Sequence, residues 1–168
     1  MMKETPQEYV ARMLHNVQGK DPLTIQAATA KKLQHLTKDQ APSRLQKRPA
    51  PGKWSVVEIL AHMAETEFAA GWRIRQALSS PGIALQAFDQ DAWANTGHYD
   101  KRHASRWVEQ FRALREANLH LLRSLTPEQW NHHGLHEERG PQTIEQMVRM
   151  TAGHEINHTR QIELILRP

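Results

Sequence analysis

"SRWVEQFRALREANLHLLRSL", residues 105–125, places Trp107, Phe111, Leu114, Asn118, Leu121 and Leu125 at alternating steps of four and three. Each helical residue turns the chain by ~100°, so these side chains share one stripe and predict a helix that buries one face. Helix start signals recur on either side. Thr5-Pro6-Gln7-Glu8 and Ser55-Val56-Val57-Glu58 are capping boxes, Asp21-Pro22 is a cap followed by a first-turn proline, and Thr143 to Gln146 opens a last helix. Breakers separate these segments at Pro42–Gly52, Ser80–Gly82, Thr126-Pro127 and Gly134–Pro141. The pattern predicts long helices near 22–39, 55–79, 104–125 and 142–166, with a shorter one near 6–17. No segment shows strand alternation. The expected fold class is all-α: a four-helix bundle with a short extra N-terminal helix, in a single domain over residues 1–168.

Composition limits the chemistry. The 168 residues are 39 % hydrophobic and 24 % charged, which suits a packed globular chain rather than a disordered one. No apolar run approaches the ~20 residues that span a bilayer, and "MMKETPQEYV" lacks the apolar stretch of an export signal, so a cytoplasmic location is expected. There is no cysteine, which excludes disulfides, iron–sulfur clusters, thiolate zinc sites and a cysteine nucleophile. Any metal must use imidazole and oxygen. The net charge of +4 is spread along the chain; its densest run, "SRLQKRPAPGK" at 43–53, reads as a solvated loop. Histidine stands out, with eleven copies.

Two of them lie in "GHEINHTRQIE", residues 153–163. His154 and His158 differ by ~40° around a helix axis and share a stripe with Ile144, Met147, Thr151, Gln161 and Ile165, so both face inward. Two interior imidazoles one turn apart need hydrogen-bond partners or a shared metal. The spelling H-E-x-x-H is also that of zinc proteases, but those take a downstream third ligand. Here Glu163 is the one carboxylate side chain after His158, and no strand is expected to hold a peptide. Glu155 falls to one side of the stripe, as a base, a support for a ligand, or a surface charge. A third ligand must come from another helix. His62, in "ILAHMAETE", is one of several candidates; His120 lies off its stripe, His15 and His35 read as surface, and the remaining histidines fall in or near loops.

Taken together, "GKWSVVEILAHMAETE" at 52–67 and "AGHEINHTRQIE" at 152–163 resemble the DinB/YfiT-like metalloenzymes. "KDP" at 20–22, "RPAPGKWS" at 48–55, "FDQDAW" at 88–93, "FRALREANLHLLRSL" at 111–125 and "HEERG" at 136–140 fit the same group. The resemblance implies a four-helix bundle, commonly a homodimer, with one divalent metal per chain on His62, His154 and His158. It also implies a small-molecule substrate or a thiol cofactor, as in the bacillithiol- and mycothiol-dependent relatives, and neither nucleic acid nor membrane as a partner. Nitrogen ligands favour zinc or nickel, with iron or manganese as alternatives.

Two classes of function follow: an enzyme performing thiol transfer or metal-assisted hydrolysis, or a non-catalytic bundle in which the metal is structural or sensory. Around the metal, Glu58 and Glu65 are candidates to accept an imidazole N–H, and Thr151 and Gln161 are stripe neighbours of the ligands. Arg73, three turns beyond His62 on the same face, is a candidate to hold an anionic substrate. Asp89, Gln90 and Trp93, in the long link from 80 to 103, are placed to fold over the mouth. Trp54 and Trp72 read as packing residues.

Overall fold

The structure, a computed structural model, describes residues 4–167. Residues 1–3, the start of the stretch read for an export signal, lie outside the described residues. Helix α1 (Pro6–Asn16) begins at Thr5, whose hydroxyl accepts from the Glu8 N–H while the Glu8 carboxylate accepts from the Thr5 N–H. Asp21 caps α2 (Pro22–Thr37) through the Thr24 N–H, and a short α3 (Pro42–Gln46) follows. Ser55 and Glu58 form the capping box of α4 (Val56–Ser79). Then come β1 (Ile83–Leu85), α5 (Gln90–Thr96), a 3-10 turn (Tyr99–Lys101), α6 (Ala104–Arg123), α7 (Pro127–Trp130), β2 (His133–His136) and β3 (Gly140–Thr143). The chain closes with α8 (Ile144–Ile165), capped by Thr143. A side-chain cap contributes about 1 kcal/mol, which is why these helices start where the sequence places them.

Helices α2, α4, α6 and α8 form the bundle: α4 packs on α6 and α8, and α2 packs on the same two. Helix α1 lies along α8, so α8 is covered by α1, α2 and α4. The apolar core is divided in two. One cluster holds Leu33, Ile59, Leu60, Met63, Phe111 and Ile162; the other holds Ile74, Leu85, Leu122, Ile144 and Val148. Between them along the helices lie buried polar residues: Gln26 and Thr29 of α2, Glu67 of α4, Arg115 and Asn118 of α6, and Glu155 of α8. Among the described residues, no helix is long and apolar enough to cross a membrane.

Three sequence expectations need correction. The absence of strands does not hold: β1 pairs parallel with β2, and β2 antiparallel with β3. Strands of three or four residues such as "HGLH" and "GPQT" are too short to show alternation, and their glycines and proline read as breakers. The buried face of α6 is also rotated. Trp107, Phe111 and Asn118 are buried as expected, but Val108, Arg115, Leu119 and Leu122 are buried with them, while Leu114 and Leu121 are half-buried. A charged residue at 115 concealed the true stripe. Finally, Trp72 does not pack inside; it is 58 % exposed, beside Phe68.

Candidate metal centre

His62 sits on the second turn of α4, and His154 and His158 sit one turn apart on α8. The α4–α8 contact brings the three rings together, with centroids 5.0, 5.0 and 4.3 Å apart. The Nε2 atoms of His62 and His154 are 2.9 Å apart, within hydrogen-bond reach, with the roles set by the ring tautomers. One nitrogen from each ring lies within 4.8 Å of the others. His62 and His154 are buried and His158 is partly buried.

Burial, helped by the neighbouring His158, holds the His62 imidazole down to about 3. Burial holds His158 down to about 4 against the opposing bond to Gln161. His154 lies well below its ordinary value, through burial first and then the two adjacent rings. All three are therefore neutral near pH 7, the form that can donate a lone pair to a metal. Two nitrogens at ~2.0–2.1 Å from one tetrahedral zinc stand roughly 3.3 Å apart, so shifts of around an ångström or less would suit this donor set to a divalent ion. The His158 Nδ1 atom lies 3.0 Å from Gln161 Oε1. That bond fixes the proton on Nδ1 and leaves Nε2 free as a ligand atom. His62 has no such support: its Nδ1 is buried without a partner among the described residues.

The carboxylates named from sequence go elsewhere. Glu58 binds Arg48 and caps α4 through the Ser55 N–H, and Glu65 accepts from Gln110 Nε2. Neither shows a bond to an imidazole. Glu155 is neither a surface charge nor a group facing the histidines. It is 2 % exposed and accepts from Arg115, which also donates to Glu67 at 2.6 Å; Asn118 joins Glu67 as well. Burial, with Glu67 nearby, pushes the Glu155 carboxyl up to about 7 despite Arg115. The Thr151 hydroxyl turns back to the Met147 carbonyl. Asp89 caps α5, and Trp93 stacks on Phe88 with ring centroids 4.4 Å apart, so Trp93 supports the mouth through Phe88.

The three histidines line a cleft of about 630 Å³ walled by α1, α4, α8, the chain after β1 and the β2–β3 turn. Of the residues named from sequence, Arg73 and Gln90 reach it while Asp89 and Trp93 do not line it; Tyr9, Arg12, Thr66, Phe88, His136 and Arg139 also line it, and the sequence reading passed over them. Only "HEERG" at 136–140 hinted at the last two. A second groove of similar size, about 620 Å³, between α2 and α6 does not touch these three histidines.

The sequence profile of the DinB superfamily matches residues 26–162. A protein of Oceanobacillus iheyensis whose name proposes a metal-dependent hydrolase is 25 % identical over 122 residues, covering 73 % of this chain and 70 % of that one. YfiT from Bacillus subtilis, described in terms of a proposed metal-dependent hydrolase activity and an unusual four-helix bundle topology, aligns with a TM-score of 0.81 at 17 % identity. That alignment covers 98 % of this chain and 89 % of YfiT, and it shows the shared fold. With the profile match extending over most of its length, the chain belongs to the DinB superfamily.

Proposed function

We propose that this protein is a metal-dependent hydrolase of a small molecule, with one divalent cation held by His62, His154 and His158. The observation that carries this reading is the convergence of three neutral imidazole nitrogens within 4.8 Å at a cleft wall. Three ligands with open positions are the usual form of a catalytic rather than a structural site. A divalent ion on neutral ligands lowers the pKa of bound water to roughly 7 and polarises an oxygen of the substrate.

The chain's own residues then have defined tasks. Gln161 holds the His158 ring and its tautomer. Glu155, engaged with Arg115, is not positioned as the base of a zinc protease. The cleft walls from α1 and the β2–β3 turn bound the substrate. Zinc and nickel are the metals this nitrogen set favours.

The test is elemental analysis of purified protein followed by a hydrolysis screen on esters, amides and phosphoesters. About one divalent ion per chain is expected, with turnover lost in His158→Ala. Failure to take up metal even after supplementation overturns the reading. Turnover of a thiol with an electrophile, without hydrolysis, would move the site to group transfer.

A further inference from the structure

The cleft has a second chemical end. Arg73, on α4, lies eleven residues beyond His62, which on a helix is about 20° around the axis and roughly 16 Å along it. Side chains on a helix lean toward its N-terminus, so Arg73 leans back toward the histidines. Its guanidinium is held from one side by the Gln86 carbonyl and lies 5.5 Å from the Phe88 ring centroid. Arg139 comes from the turn between β2 and β3, where Gly140 at φ +73° lets the chain reverse within three residues.

Both arginines line the cleft, and among the described residues neither forms an ion pair. The Arg139 Nε is buried and has no hydrogen-bond partner among the described residues. Thr66, one turn beyond His62 on the same face, also has a buried hydroxyl without a partner. The other charges around the cleft do not neutralise this end. Arg12 is paired with Glu4 and bonded to Asn157, while Glu137, which accepts from the Ala87 N–H, still acts on Arg73 through its charge. Glu137 and Glu138 thus offset part of the charge at a distance, but among the described residues neither forms an ion pair with Arg73 or Arg139, whose N–H donors stay available to a ligand.

The field is visible in its neighbours: burial first, then Arg139 and Arg73, hold His136 down to about 4. Burial, and then Arg139, bring Arg73 down to about 10. Two partly buried cations facing one space with donors to spare are a costly arrangement until an anion enters.

We propose that Arg73 and Arg139 bind a carboxylate or phosphate at one end of an elongated substrate whose other end reaches the three histidines, with the Thr66 hydroxyl bonding to its middle. The placement of the reacting end rests on the metal reading above; the anion site does not need it. A ligand of this kind gains charge-assisted bonds at the arginines, and those bonds set which molecules are positioned for reaction.

The experiment measures binding of inorganic phosphate, acetate and neutral acetamide by calorimetry. It uses the wild type with and without metal, together with His158→Ala, Arg73→Gln and Arg139→Gln. Phosphate or acetate should bind the metal-free wild type and His158→Ala alike, acetamide should not, and either arginine variant should weaken the anion by about tenfold or more. The better of the two anions identifies the head group. No anion binding by the wild type overturns the proposal, as does binding that disappears with the metal but survives in Arg139→Gln. If an arginine variant does not fold, phosphate protection of wild-type arginines from phenylglyoxal, mapped by mass spectrometry, decides instead; unprotected Arg73 and Arg139 overturn it. A failed metal reading would show up separately, as a wild type that takes up no metal.

Discussion

A β-carbon built on Gly153 would stand 1.9 Å from the carbonyl oxygen of Met13. Helix α1 therefore touches α8 backbone to backbone, one residue before the first histidine of the pair, and Asn16 adds a bond from its Nδ2 to the Gly153 carbonyl. Backbone cannot yield as a side-chain tip can. Gly153→Ala should displace α1 and with it the cleft wall carrying Tyr9 and Arg12, at a cost of at least the ~1–3 kcal/mol of ordinary overpacking. Urea denaturation reads the loss, and faster amide exchange in α1 locates it. Unchanged stability would mean the two helices are not in contact here.

The buried ion cluster should behave asymmetrically. Arg115→Met leaves Glu67 and Glu155 facing each other without a cation, and removing one partner of a buried pair costs about 3–5 kcal/mol. Glu155→Gln should cost less, because burial already raises that carboxyl to about 7 and the amide resembles its protonated form. Adding Glu67→Gln and Glu155→Gln to Arg115→Met should recover much of the loss. Metal content should persist in Glu155→Gln, since Glu155 bonds Arg115 rather than the imidazoles. An Arg115→Met protein as stable as the wild type would show that pairing is not what these groups contribute.

Stability of the metal-free protein should fall as the solution is acidified. Unfolded histidine titrates near 6.5, whereas native His62 and His158 are held down to about 3 and about 4. Between those values the unfolded chain binds protons that the native chain refuses, so stability is full above 6.5 and drains as pH falls toward 4. His154 and His136, also lowered, add to the slope. Glu67 and Glu155 are raised and act in the opposite sense over part of the same range. Four histidines outweigh two carboxyls, so the net direction is loss. Denaturation midpoints at about pH 7.5, 6 and 5 check it, and a midpoint that rises on acidification would contradict it.

Much of this molecule was legible because the relevant physics is local. Caps such as Thr5, Asp21, Ser55 and Thr143 start helices through bonds made within one turn. The inward pair His154 and His158 follows from helical spacing alone. What escaped depends on partners distant in sequence. Arg115 reads as a surface residue until Glu67 and Glu155 arrive from other helices to neutralise it. Glu155 reads as a flank residue until α2 covers that side of α8. Glu58 reads as a candidate support for a histidine until Arg48 arrives from the loop before α4 to pair with it. Strand β1 joins the short sheet through pairing with residues some fifty positions away, while Arg139 sits on the turn of a β2–β3 hairpin whose strands are too short to show alternation.

The bond between Gln161 and His158 gives the sharpest separation between holding a metal and merely packing. Gln161 touches no ion; it would act only by accepting the Nδ1 proton at 3.0 Å and so keeping Nε2 available. Supports of this kind typically contribute 10–100-fold, in round terms about 1.4–2.8 kcal/mol, to metal affinity. Gln161→Ala should therefore weaken zinc binding within that range while leaving its stoichiometry at saturation and the fold unchanged. Gln161→Glu, which keeps an acceptor at the same reach, should restore most of it. His158→Ala should abolish stoichiometric binding. Competition with a calibrated chelator measures all three. If Gln161→Ala binds as tightly as the wild type while His158→Ala fails, the ring is held by its packing alone. If Gln161→Ala and Gln161→Glu lose affinity equally, the hydrogen bond is not the cause.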